Sequence, residues 1–126
     1  MPGARDELLR ELVTASRILA REGIVDSFGH VSIRNPERAD RYFISRARAP
    51  ALVTLGDVLE LDLDGRPVEA TTERLFAERV IHSAVYRQRA DVMAVCHHHA
   101  PAVMPFCVTG IERFAKLVKS VGITPQ

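Results

Sequence analysis

The chain has 126 residues, enough for one domain and too few for two ordinary ones. Hydrophobic residues at 47% and charged residues at 26% exclude wholesale disorder. Seventeen Lys and Arg against sixteen Asp and Glu leave a formal charge of +1, with no polybasic run to favour nucleic acid.

Residues 5–22 form an amphipathic pattern with Leu8, Leu9, Leu12, Val13, Ile18 and Leu19 on one side, and Gly23 supplies a helix stop. Residues 28–34 alternate as a strand, broken by Asn35 and Pro36. Tyr42–Ser45 is a short strand followed by a loop with Arg46, Arg48 and Pro50. Val58–Leu63 alternates apolar with acidic residues and ends at the turn pair Asp64-Gly65. The spacing predicts a helix over 73–88 with Leu75, Phe76, Val80, Ile81, Ala84 and Val85 as its apolar face. Val92–Cys96 is a short apolar run leading into His97-His98-His99. Pro101 suits the first turn of another helix, and 111–121 reads as a last one. This order suggests a sheet with helices packed on it, of undecided strand direction. No apolar stretch approaches the roughly 20 residues that span a membrane. The N-terminus MPGARDELLRELV has no apolar leader, so the expectation is a soluble cytoplasmic protein. Two cysteines, Cys96 and Cys107, make no disulfide framework and read as packed thiols.

Three of the five histidines are consecutive. If the strand continues through them, His97 and His99 share a face and can share a divalent ion, while His98 points away. The competing reading is a solvated or core-packed cluster. Glu78 and His82 stand at i and i+4 on one helix face, and a carboxylate near a metal can act as general acid or base. Gly29-His30-Val31-Ser32 and Ser45-Arg46-Ala47-Arg48 offer polar groups after strands. Glycine admits a close ligand, and Arg grips carboxylate or phosphate bidentately, although solvation alone also accounts for these arginines.

The segment Glu78-x-x-x-His82-x-x-x-Tyr86-x-x-Arg89-x-Asp91, followed by Ala94-Val95-Cys96-His97-His98-His99-Ala100-Pro101, resembles the signature of the class II aldolase/adducin family. Gly29-His30-Val31-Ser32-Ile33-Arg34 is similar to that family's Gly-Asn-x-Ser-x-Arg segment, and the likeness runs from about residue 8 to about residue 109. The resemblance implies a three-layer α-β-α fold with a central, mostly antiparallel sheet. It implies a divalent metal, Zn or Mn, on His97 and His99, with Glu78 as the acid/base beside it. Small-molecule substrates and a homo-oligomer, typically a tetramer with sites between subunits, follow from it too.

Three departures bear on the reaction. Phe76-Ala77 stand where sugar-phosphate enzymes tend to have Ser-Ser, His30 replaces Asn, and Ser45-Arg46-Ala47-Arg48-Ala49-Pro50 replaces a Thr- and Gly-containing phosphate loop. These changes suit a planar carboxylate and resemble the subgroup that decarboxylates hydroxylated aromatic dicarboxylates. Gly29, His30, Ser45 and Arg46 then read as substrate-binding. An aldolase or epimerase acting on a sugar phosphate such as fuculose phosphate is one alternative. A non-catalytic, adducin-like interaction module is another. No histidine follows His99, and beyond Gly110 the likeness stops, so the chain reads as the N-terminal portion of such a domain, shortened at its C-terminus and incomplete or inactive on the latter reading.

Overall fold

The computed structural model describes residues 3–109. Helix α1 (Ala4–Arg21) leads to strand β1 (His30–Arg34), β2 (Arg41–Ser45), two short 3-10 turns at 50–52 and 55–57, and β3 (Val58–Asp62). Helix α2 (Arg79–Gln88), β4 (Ala94–His97) and α3 (Met104–Thr109) follow. The sheet order is β3-β2-β1-β4, and every neighbouring pair is antiparallel. β4 therefore joins beside β1, the first strand, after the chain has crossed the sheet through α2. The expected final helix over 111–121 lies outside the described residues.

Alternation along the strands divides the sheet into two faces. The register sets His30, Ser32 and Arg34 of β1 beside Tyr42 and Ile44 of β2, Leu59 and Leu61 of β3, and Val95 and His97 of β4. Tyr42, Ile44 and Leu61 form the core of this face with Tyr86 of α2. On the other face, Arg5 of α1 lies over the Phe43 ring, 5.1 Å from its centroid. Helices thus cover both sides of an antiparallel sheet, the architecture the family resemblance implies. The α1 stop is as expected: Gly23 takes φ +70°, which Gly adopts without a Cβ penalty.

Helix α2 differs from its expected form in two ways. It starts at Arg79, because the Arg74 carbonyl accepts from Ala47 N–H (2.7 Å) and Leu75 and Phe76 pack against the core instead of winding into a turn. Its buried face is also not the apolar one. Val80 and Ile81 are exposed, while His82, Ser83 and Tyr86 are buried. The sheet below explains this: Tyr42 and Ser32 present hydroxyls that only polar partners can satisfy, so the helix rotates polar groups onto them. Tyr42 Oη lies 2.7 Å from Ser83 Oγ and donates or accepts there.

Arg34 is buried at the end of β1 and pairs with no carboxylate among the described residues. Its guanidinium donates to the carbonyls of Ala39, Tyr86, Arg89 and Val92 at 2.6–2.9 Å. It also lies 4.7 Å from the Tyr86 ring centroid. Two of those carbonyls belong to the C-terminal end of α2, where a cation meets the negative end of the helix dipole.

Candidate active site

The site is built on the β1–β4 pair. His30 and His97 are register partners, and their rings stack with centroids 5.0 Å apart. Before β1, the Asp26 carboxylate accepts from Phe28 N–H and Gly29 N–H (2.9 and 3.1 Å), which turns the chain into the strand. Gly29 sits where a Cβ would come 2.6 Å from Val25 Cβ and 3.3 Å from the His97 carbonyl oxygen. Its role is close backbone approach between this turn and β4, not a left-handed conformation.

Glu78 precedes the first turn of α2 and carries a half-exposed carboxylate over the two rings. Its Oε2 lies 2.6 Å from His97 Nε2 and 3.8 Å from His30 Nε2. The short approach to His97 does not have hydrogen-bond geometry, so His97 Nε2 is buried without a hydrogen-bond partner among the described residues. His30, Glu78 and His97 each offer one ligand atom, all within 4.8 Å of one another. A buried, unbonded imidazole nitrogen beside a carboxylate is a donor set that fits a divalent cation.

β4 ends at His97, so His98 and His99 do not continue the strand. His98 Nδ1 accepts from Ala100 N–H at 3.1 Å. The His99 ring is exposed and meets His97 edge-on at 4.8 Å, beside the three-residue group rather than within it. Cys96 and Cys107 are exposed, not packed, since Cys96 points away from the His97 face at the sheet edge.

Behind His30 runs a buried chain of polar groups. His30 Nδ1 is 2.6 Å from His82 Nε2, His82 Nδ1 is 2.6 Å from Ser32 Oγ, and Ser32 Oγ is 2.7 Å from Tyr86 Oη. Burial, reinforced by the neighbouring His97, lowers the His30 pKa from 6.5 to about 4 against the opposing pull of Glu78. Burial, reinforced by His30 and His97, lowers that of His82 to about 3. Burial pushes the Tyr86 phenol up to about 12. The periodicity of α2 missed this set. The signal that finds it is double: His30 and Ser32 alternate on β1, and Glu78, His82 and Tyr86 recur every fourth residue.

A cavity of about 410 Å³ opens beside these groups, lined among others by Phe28, His30, Arg48, Arg74, Phe76 and Glu78. Arg46 and Ser45 are not in its lining. Ser45 is buried in β2. Arg46 Nε donates to Asp57 Oδ1 at 2.7 Å, and its Nη1 faces Glu73 Oε2 at 3.4 Å. Asp57 also accepts from Thr54 N–H and Oγ1–H at 2.8 and 2.9 Å and from Arg48 at 3.2 Å. Burial alone would raise the Asp57 pKa, but the hydrogen bonds from Arg46 and Thr54 hold it well below the usual carboxylate range. Arg46 thus braces the loop after β2. Arg48 and Arg74 are the guanidinium groups that reach the cavity; the sequence pattern offers Arg48 together with Arg46 and misses Arg74.

The sequence model of the family described as "Class II Aldolase and Adducin N-terminal domain" matches residues 10–123, continuing past residue 109 where the motif likeness stops. The chain is 38% identical to decarboxylase tropJ of Talaromyces stipitatus over 106 residues, which are 82% of this chain and 40% of that protein. It is 33% identical to 3,4-dihydroxyphthalate decarboxylase of Arthrobacter keyseri over 119 residues, which are 86% of this chain and 45% of that protein. The structure of L-fuculose 1-phosphate aldolase from Glaciozyma antarctica superposes with a TM-score of 0.75 at 28% identity, covering 88% of this chain and 48% of that one. The chain spans less than half the length of these relatives. No helix among the described residues is long and apolar enough to cross a membrane.

Proposed function

The chain belongs to the class II aldolase and adducin N-terminal domain family, and from that premise we propose that it is a metal-dependent carbon–carbon lyase whose favoured reaction is decarboxylation of a hydroxylated aromatic dicarboxylate. The observation that carries this reading is the placement of Glu78 Oε2 against His97 Nε2 and His30 Nε2, at 2.6 and 3.8 Å, on the wall of a cavity that also holds Arg48 and Arg74. The two decarboxylases among the relatives support the same reaction class.

His97, whose Nε2 has no hydrogen-bond partner among the described residues, and His99, off the strand but with its ring edge-on to His97 at 4.8 Å, would hold the metal, Zn or Mn. When bound, such an ion supplies Lewis acidity toward a chelating hydroxyl and carboxylate. Arg48 and Arg74 hold the second carboxylate, for which planar guanidinium forks are matched. Phe28 and Phe76 give the aromatic ring an apolar wall. As the bond to the departing carboxyl breaks, its electron pair stays on the ring carbon, CO2 leaves, and protonated Glu78 delivers its proton to that carbon. Glu78 is half exposed and recovers the proton from solvent. Where the aldolases would keep hydroxyls for phosphate, Phe76-Ala77 precede Glu78, which favours the carboxylate substrate over a sugar phosphate.

The test is CO2 release from dihydroxyphthalates, measured beside aldol cleavage of fuculose phosphate, with Zn or Mn supplied. CO2 release that Glu78→Gln abolishes while the circular dichroism spectrum stays native supports the proposal. Cleavage of the sugar phosphate alone replaces it with the aldolase reading. A folded chain that binds no metal and turns over neither substrate favours the interaction module.

A further inference from the structure

We propose that Ser32 and His82, in the hydrogen-bonded chain headed by Tyr86, are positioning residues that fix His30 as its Nε2–H tautomer, so that His30 enters the site as a hydrogen-bond donor and not as a ligand to a cation.

Tyr86, Ser32 and each neutral imidazole bring one proton, and the chain contains three contacts: Tyr86 Oη to Ser32 Oγ (2.7 Å), Ser32 Oγ to His82 Nδ1 (2.6 Å) and His82 Nε2 to His30 Nδ1 (2.6 Å). Four protons fill three bonds, so one N–H or O–H must find its acceptor outside the chain. In one arrangement Tyr86 donates to Ser32, Ser32 to His82 Nδ1, and His82 Nε2–H to His30 Nδ1. The remaining proton is then on His30 Nε2, which lies 3.8 Å from the Glu78 carboxylate, beyond hydrogen-bond distance, on the wall of the open cavity where an acceptor can reach it. If the chain runs the other way, the remaining proton is the Tyr86 hydroxyl's. If both neighbours donate to Ser32, it is the Ser32 hydroxyl's. Tyr86 is 1% exposed and Ser32 fully buried, and neither hydroxyl has a further acceptor among the described residues. A buried O–H without an acceptor is the costly outcome, so the first arrangement prevails. His82 is fully buried and, among the described residues, meets no carboxylate that would hold a second proton on it.

This changes the reading of the cluster. His30, Glu78 and His97 together look like three ligands, but a ring nitrogen carrying hydrogen has no in-plane lone pair for a cation. A ligating His30 would need the reverse tautomer, with Nδ1–H donating to His82. Coordination is therefore left to His97 and its neighbours, and the His30 N–H is available to a substrate oxygen in the cavity it lines. The use of that N–H by a substrate rests on the function proposed above. The tautomer does not.

The test is a long-range proton–nitrogen correlation spectrum of the full chain with ¹⁵N-labelled histidine at neutral pH, before and after zinc, with His30→Gln and His82→Gln assigning the rings. The expected result is a protonated Nε2 and a bare Nδ1 on both His30 and His82, with zinc shifting His97 and leaving the His30 pattern unmoved. Ser32→Ala removes the donor to His82 and should collapse the single His30 pattern into an average of two tautomers. Ser32→Thr keeps the hydroxyl and should restore it. A protonated His30 Nδ1 in the wild type, or zinc displacing the His30 Nε2 signal, overturns the proposal. Absence of CO2 release with the tautomer pattern intact would instead count against the decarboxylase reading alone.

Discussion

His30 and His97 come from the first and last strands of the sheet, yet they stand directly opposite each other with their rings 5.0 Å apart. Strand register, not local sequence, sets that spacing. Gly29 lets the turn before β1 close on itself and on β4, because a Cβ there would meet Val25 Cβ at 2.6 Å and the His97 carbonyl oxygen at 3.3 Å. Gly29→Ala should therefore cost about 1–3 kcal/mol of stability through overpacking. It should also weaken zinc binding, since β1 and β4 must part. Urea midpoints and a zinc titration measure both. An unchanged midpoint would show that Val25 yields freely.

Arg34 tests how the second layer is held. Four backbone carbonyls depend on its one guanidinium, two of them at the end of the helix that carries His82 and Tyr86. Arg34→Met should cost about 3 kcal/mol or more, because buried acceptors lose charge-assisted bonds. Arg34→Lys should recover only part of this, since a point ammonium cannot span the fork. Thermal unfolding of the three proteins decides it, and a lysine variant as stable as wild type would refute the geometric argument.

Much of this fold was legible because the strands alternate and the helices carry clear stops. Gly23 and Asp64-Gly65 fall where the chain turns, and Gly23 and Gly65 both have positive φ. The side chains of the site were less legible. Periodicity weighs apolarity, and the buried face of α2 is made of His82, Ser83 and Tyr86. Arg46 and Arg48 are equivalent in sequence and both bond Asp57, whose carboxylate caps its own 3-10 turn through Thr54, but Arg46 also faces Glu73 while Arg48 lines the cavity. His99 fails to continue the strand because β4 ends at His97. Each of these depends on tertiary partners that spacing does not encode.

The buried histidines should make the fold acid-sensitive at mild pH. Burial lowers His82 from 6.5 to about 3 and His30 to about 4, so the unfolded chain takes up these protons first as pH falls. Stability is then complete above about 6.5 and declines as pH drops toward the folded values. Asp57, also lowered, acts in the same direction but only below the ordinary carboxylate value of 3.8. Urea midpoints at about pH 7.5 and about pH 5 should differ, with a shallower slope in His82→Gln. A flat profile in the wild type across that interval would mean that both rings are protonated in the fold.

Arg74 and Arg46 differ in their partners, and that difference separates their roles. The Arg74 guanidinium lines the cavity and has no partner among the described residues, whereas Arg46 is bonded to Asp57 at 2.7 Å and faces Glu73 at 3.4 Å. If Arg74 grips a substrate carboxylate, Arg74→Ala should raise KM about 10–100-fold, the equivalent of one charge-assisted hydrogen bond, and leave stability unchanged. Arg46→Ala should do the opposite: it strips a partner from a buried carboxylate, costs about 1–3 kcal/mol, and changes KM little in the protein that remains folded. Steady-state kinetics on an aromatic dicarboxylate, paired with urea midpoints, reads both at once. A large KM effect confined to Arg46→Ala would return the anion site to the loop after β2 and remove Arg74 from it.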